Sequence, residues 1–291
     1  MSERSKRLVL HIGFHKTGTS ALQEGFYANA DKLAAAGLIY PKPLCKFQSH
    51  IELPAALFPD EVPWVEEKYD LDEVCGHYAD MVADAPEGST LILSSEELCR
   101  IDLREEFLRA LHDRLGNLPD TRTQIVAYTR DAVAFLVSLY HHEIRVRVYH
   151  KHFSDFVNGH HIALENVRFD RRLEGWRATF GAENVLVQDY DQVVRQRGPT
   201  GITEDFLTLM GHPDLDLEIE DKFVNTGVHP WLVSAYSQLY LAGLPKQDYD
   251  PIRDEIIRLG FKLPRVNAAE YYLGEEGVAE LRARIADHTS I

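Results

Sequence analysis

The stretch Leu8-Val9-Leu10-His11-Ile12-Gly13-Phe14-His15-Lys16-Thr17-Gly18-Thr19-Ser20 decides the fold. Its first five residues are almost continuously apolar, the pattern of a strand buried on both faces. Gly13 and Gly18 then bracket a turn. Beyond it Leu22, Phe26, Ala30 and Leu33 recur at helical spacing, and Gly37 stands where that helix should end. A buried strand, a glycine loop and an amphipathic helix make the opening unit of an α/β protein.

Working outward, the same alternation repeats. Strands are expected at 90–93, 124–128 and 184–187, with helices at 66–83, 104–115, 132–142, 170–180 and 204–210 between or after them. Buried strands alternating with helices predict a central parallel sheet flanked by helices in three layers. From 224 onward the pattern is mostly helical, with helices at 231–242, 251–259 and 276–288, and 41–63 reads as a Pro-rich ordered loop. The expectation is a single domain over 1–291, with its core motifs in 7–200 and a mostly helical part at 201–291. In such sheets ligands bind beyond the carboxyl ends of the strands, so the residues that follow each strand carry the interest.

Composition narrows the class. With 31 Lys and Arg against 46 Asp and Glu the formal charge is −15, the wrong sign for a protein that neutralises nucleic-acid phosphates. No stretch approaches the ~20 apolar residues of a membrane span, and Met1 to Arg7 holds no signal-peptide h-region. Cys45, Cys75 and Cys99 are odd in number and lack metal or CxxC spacing. They read as free thiols, and the expected location is the cytoplasm.

The loop Gly13 to Ser20 nearly matches G-x-x-x-x-G-K-[ST], the nucleotide phosphate loop. Thr19 stands where an ATP or GTP binder carries lysine, and a lysine appears three residues earlier, at Lys16. The cradle of backbone N–H groups and the positive helix end survive this change, with hydroxyls added by Thr17, Thr19 and Ser20. What moves is the cation. A donor with a single phosphate–sulfate bridge needs no divalent ion, and one lysine beside that bridge can stabilise the charge that develops as it breaks.

A second anion site is expected after the strand at 124–128. There Arg130 precedes the helix N-cap candidate Asp131, and Ser138 follows about two turns on. A guanidinium at a strand's carboxyl end suits a phosphate. Two anion sites on neighbouring strands fit a nucleotide phosphorylated at both ends.

These paired motifs resemble those of the PAPS-dependent sulfotransferases, which take a sulfuryl group from 3′-phosphoadenosine 5′-phosphosulfate. The resemblance covers roughly the first two-thirds of the chain. It rests on Gly13 to Ser20, on Tyr128 to Tyr140 with Arg130 and Ser138, and on Ser94-Ser95-Glu96-Glu97-Leu98 after the second long strand. It implies a P-loop NTPase-like fold and in-line transfer from PAPS to a hydroxyl or amine, with PAP as product and no metal. Carried over, His15, Lys16, Thr17, Gly18, Thr19 and Ser20 hold the 5′-phosphosulfate, and Arg130 and Ser138 the 3′-phosphate. The chain departs from the cytosolic branch in lacking its C-terminal Arg-Lys-Gly element, for which Lys222 and Asn225 are the substitutes considered.

The acceptor proton needs a base opposite Lys16. Glu96 is the first choice, since strand alternation turns one of Glu96 and Glu97 inward; His50, in the 41–63 loop, is the second. Arg145 and Arg147, in the locally basic run from His141 to His152, are expected to line the acceptor entrance. The acceptor is a small molecule or glycan, with carbohydrate and glycolipid among those open. The rival readings are a P-loop kinase or NTPase and a non-catalytic nucleotide-binding protein.

Overall fold

The computed structural model describes residues 5–146, 151–159, 164–165, 167–198, 201–219, 229–243 and 266–289, together with the single residues 248, 251, 255 and 263. In chain order the elements are β1 (Lys6–His11), α1 (Thr19–Ala28), α2 (Ala30–Ala35), β2 (Leu38–Ile39), α3 (Glu52–Leu57), α4 (Leu71–Asp84) and β3 (Thr90–Ser94). A 3₁₀ segment (Glu96–Leu103) leads to α5 (Glu105–Leu111) and β4 (Thr121–Thr129). Then come α6 (Ala132–Val146), α7 (Phe153–Gly159), α8 (Phe169–Phe180), β5 (Val185–Asp189), α9 (Tyr190–Arg197), α10 (Gly201–Met210), α11 (Pro230–Leu241) and α12 (Ala268–Thr289).

Among the described residues, five strands run parallel in one sheet, in the order β2-β3-β1-β4-β5. The central place of β1 explains its apolar run, because neither face nor edge meets water. Val9, Ile92, Val126 and Tyr128 pack under Leu22 and Phe26 of α1 and under Ile202 and Phe206 of α10. Leu8, Leu10, Leu93 and Ile125 point the other way by alternation and are fully buried too. The expected parallel sheet with helical layers on both faces is met.

Register positions the site. His11 pairs with Ser94 on β3 and with Val126 on β4, so three neighbouring strands reach the same edge within a few residues. The loop after β1 and the turn after β3 therefore start side by side.

Local structure differs from expectation at four points. The first helix breaks at Asn29, whose side chain donates to the carbonyls of Gly25 and Glu218 and accepts from the Glu218 amide; a long-range bond outcompetes helical continuity. The helix expected at 66–83 starts at Leu71, where the Asp70 carboxylate accepts from the Asp72 and Glu73 amides and caps it. β2 has only two residues, too short to show a period, and the 41–63 loop contains α3.

The chain divides into two compact units, Met1–Thr129 with Asp170–Val224, and Arg130–Phe169 with Asn225–Ile291. The sheet belongs wholly to the first. The second is helical around Leu136, Tyr140, Phe153, Phe156 and Tyr236, with the Tyr140 ring against Phe153, Phe156 and Tyr272. Asp131 caps α6 as expected, accepting from the Ala134 amide at 2.9 Å, and also pairs with Arg282 at 2.7 Å. Among the described residues no helix is long and apolar enough to cross a membrane. Cys45, Cys75 and Cys99 are free thiols.

Candidate active site

The loop after β1 turns on positive-φ residues at Gly13 (53°), Lys16 (66°) and Gly18 (80°). For Lys16 this conformation is costly, about 1–2 kcal/mol for an L-residue with a Cβ, and such outliers concentrate at functional sites. Gly13 is required twice over. A Cβ there would meet Thr19 Oγ1 at 2.9 Å and the Glu96 Cα at 3.2 Å. The phosphate loop and the Glu96 turn are thus in contact through a glycine with no room for a side chain. Gly18 is backed likewise by Tyr190 and Ile202.

The loop presents groups that could hold an anion. Gly18 starts α1 with no side-chain cap, and no acidic residue sits in that helix's first turn. Its leading N–H groups carry the positive end of the helix dipole. The Thr19 hydroxyl is buried without a hydrogen-bond partner, and Ser20 is exposed beside it. These groups fit the 5′-phosphosulfate of PAPS. The Thr17 hydroxyl does not join them: it donates to the Phe14 carbonyl at 2.6 Å inside the loop, so what Thr17 offers an anion is its main chain.

Glu96 and Glu97 open the 3₁₀ segment instead of closing the strand, so strand alternation does not separate them. Both approach His15, with Glu96 Oε1 3.5 Å from Nδ1 and Glu97 Oε2 3.9 Å from Nε2. The imidazole expected to face the donor faces two carboxylates. Burial alone would raise the Glu96 carboxyl, but His15, through a hydrogen bond and its charge, together with Lys16 and His11, outweighs burial and holds it below the usual range. Glu97 differs. Burial raises it, against the pull of His15 and Arg100, and Arg100 Nε lies 2.6 Å away. Of the two, Glu96 is the one whose ionised form its surroundings favour, and its side chain is one-third exposed.

His50 is a correction. Expected at the lip of a cleft, it is fully buried. Its Nδ1 accepts from the Ser94 amide at 3.0 Å, and Nε2 sits 3.1 Å from the Pro41 carbonyl. The amide can only donate and the carbonyl only accept, so the proton is on Nε2 and no lone pair is left for a substrate. Burial lowers its pKa to about 4 despite both backbone bonds. His50 fixes the end of β3 and is not a base. The end of that strand is clamped again by Gln23, which donates to Ser94 Oγ at 3.1 Å, and by His11 Nδ1 at 2.8 Å from the same oxygen.

Sequence pattern alone does not single out Arg172. From α8, buried, it donates to the Cys99 carbonyl at 2.7 Å and lays its guanidinium over the Phe14 ring, 5.2 Å from the centroid. It joins the Glu96 turn to the phosphate loop from below. Its one signal is an arginine on the apolar stripe of Leu173, Trp176 and Phe180.

Arg130 directly follows β4, and Ser138 lies half-buried in α6; both belong to the second unit. Arg145 is described only as backbone of α6, and Arg147, Lys222 and Asn225 lie outside the described residues.

His15, Glu96 and Glu97 also form a group whose ligand atoms all lie within 4.8 Å of one another, wide for a metal ion but within reach of one after adjustment. Arg100 on Glu97 and Lys16 beside Glu96 supply the positive charge a cation would otherwise bring.

No protein-family profile matches the chain, and no curated protein does. Among solved structures it is similar to a sulfotransferase from Alicyclobacillus acidocaldarius (16% identity over 80% of this chain and 92% of that one, TM-score 0.47). It is also similar to the sulfotransferase domain of the Synechococcus PCC 7002 olefin synthase (12% identity over 91% and 98%, TM-score 0.40). A third is retinol dehydratase in complex with androsterone and the inactive cofactor PAP (15% identity over 97% and 80%, TM-score 0.36). At these identities and scores the likenesses assign no residue a role.

Proposed function

We propose that the chain is a sulfotransferase using PAPS as donor and Glu96 as the base that deprotonates an acceptor hydroxyl or amine. The observation that carries this reading is the contact of an ionised carboxylate with a phosphate loop whose lysine is displaced. Glu96 sits against Gly13, is held below the usual carboxylate range, and has Lys16 beside it. When bound, PAPS would supply a sulfuryl group on a phosphate–sulfate bridge. The N–H groups at the start of α1, with Thr19 and Ser20, hold the 5′ end. Lys16 would stabilise the negative charge that builds on the bridge. Glu96 takes the acceptor proton, and its one-third exposure leaves it a path to a substrate from solvent. Arg130 and Ser138 are proposed for the 3′-phosphate, and Arg145 and Arg147 for the acceptor.

A second reading, a metal-dependent P-loop phosphotransferase, is favoured by the His15, Glu96 and Glu97 group. The displacement of lysine from the position of Thr19 speaks against it. Thermal shift with PAP, and separately with ATP and Mg²⁺, distinguishes the two. Stabilisation by PAP without metal supports the sulfotransferase; stabilisation by ATP and Mg²⁺ alone refutes it. Glu96→Gln should then bind PAP normally and lose transfer by ~10²–10⁴-fold, the usual contribution of a positioned base.

A further inference from the structure

Gln23 is buried on α1 in the company of Leu22 and Phe26, where an apolar side chain would pack without needing hydrogen-bond partners. A helical side chain lies over the turn before it, so Gln23 covers the turn that opens with Thr19 and Ser20. Its amide crosses to the end of β3. Nε2 stands 3.1 Å from Ser94 Oγ and 3.4 Å from the Ser94 carbonyl. A carbonyl only accepts, so the NH₂ end of the amide is the one that faces Ser94. Glu96 follows two residues later. Ser94 has other ties. Its amide donates to His50 Nδ1, and its carbonyl accepts from the His50 amide at 2.8 Å. Its hydroxyl lies 2.8 Å from His11 Nδ1, and the Ser95 amide donates to the His11 carbonyl at 3.0 Å. His11 ends β1 and His50 lies in the 41–63 loop. Of these partners, Gln23 is the one that comes from the helix whose first turn faces the donor.

Resting on the sulfotransferase reading with Glu96 as the base, we propose that Gln23 is a positioning residue that sets Glu96 against the bound donor. The donor's 5′ end is held by the leading turn of α1, and the base rides on the 3₁₀ turn after β3. In-line transfer needs both in one frame, because misplacing a reacting group by about 1 Å costs on the order of 10²-fold. Gly13 lets the loop and the turn approach by leaving room for both. Gln23 fixes their relative position, since a hydrogen bond sets distance and direction where bare contact sets neither. It touches neither donor nor acceptor, so its effect falls on the rate of transfer and passes through Glu96.

The test uses the full chain and reads single-turnover sulfate release from PAPS with water as acceptor, PAP affinity, and amide hydrogen exchange. Gln23→Met keeps the side-chain length. It strands nothing on Ser94, whose hydroxyl retains His11 and whose carbonyl retains the His50 amide. Release should slow about 10–100-fold, with PAP affinity within about twofold of wild type. In the PAP-bound protein the amides of Ser95 to Leu98 should exchange about 2–12-fold faster, the value of one hydrogen bond. In a Glu96→Gln background the same substitution should slow release no further, because its effect passes through that carboxylate. Asn29→Ala is the control. It removes a side-chain amide from the far end of the same helix, where Asn29 donates to the Glu218 carbonyl, and should leave release and exchange at 95–98 as in wild type. A wild-type rate in Gln23→Met, a rate loss matched by an equal loss of PAP affinity, or equal slowing in the Glu96→Gln background overturns the positioning role. So does unchanged exchange at 95–98, which is read even where release is too slow to follow. Wild-type release in Glu96→Gln overturns the base assignment itself, a failure distinct from those of Gln23.

Discussion

Replacing Gly13 by alanine probes the contact on which the site rests. The backbone there has φ 53°, so any Cβ carries the left-handed penalty of about 1–2 kcal/mol. The new methyl would also sit 2.9 Å from Thr19 Oγ1 and 3.2 and 3.3 Å from the Glu96 Cα and Cβ. Two of those three neighbours cannot rotate away, so overpacking adds about 1–3 kcal/mol. Gly37 is the control. Its φ is 81°, but a Cβ there meets nothing within 4 Å, so Gly37→Ala carries only the conformational cost. With about 2–4 °C lost per kcal/mol, a total of about 2–5 kcal/mol should make Gly13→Ala melt roughly 4–20 °C below wild type, and about 1–2 kcal/mol should make Gly37→Ala melt roughly 2–8 °C below. Scanning calorimetry reads both, and titration with PAP reads the site. Gly13→Ala should also weaken PAP binding, because the strain is relieved by moving the loop or the Glu96 turn; Gly37→Ala should not. Equal melting of the two variants, with PAP affinity intact in Gly13→Ala, would refute the packing of Glu96 on the loop.

Lys16→Met should lower transfer about 10²–10³-fold, the range for losing one preorganised charge stabiliser, while a melting scan stays near wild type, because methionine keeps the Cβ and with it the left-handed cost. Arg172→Met leaves the buried Cys99 carbonyl without its donor and uncovers Phe14, so urea unfolding should show a loss of about 1–3 kcal/mol; an unchanged midpoint would remove Arg172 from the site's support. Acid should also find two fully buried histidines. Burial lowers His11 and His50 from 6.5 to about 4, so the unfolded chain binds more protons between those values. Their contribution is complete above pH 6.5 and is lost as pH falls toward 4, by about 3 kcal/mol for each histidine. Chemical unfolding across that window should have a two-proton slope, reduced by one in His50→Gln; a flat profile would show that the rings are solvated.

The phosphate loop is legible in the sequence because its signal is local. A strand, a turn needing positive φ, and a helix start occupy consecutive residues, and each has its own chemical mark in Leu8 to Leu33. The parallel sheet is legible for the same reason, since β1, β3, β4 and β5 are apolar runs bounded by turns. The break at Asn29 is not, because it is made by Glu218, 189 residues away. β2, two residues long, is recognised only through its pairing with Leu91 and Thr90.

By itself, then, the sequence determined the anion cradle and where its lysine stands, because backbone N–H groups, glycines and a helix end act over a few bonds. Tertiary structure decided the protonation chemistry. As letters, Glu96, His50 and Glu97 are all candidate proton acceptors, with Glu96 preferred only by strand alternation. Which of them is favoured as ionised, buried or already hydrogen-bonded depends on Ser94, Pro41, His15 and Arg100, which come from three separate stretches of the chain. A carboxyl's basicity is set by desolvation and by charges within a few ångströms, and those neighbours are chosen by the fold, not by the residues on either side.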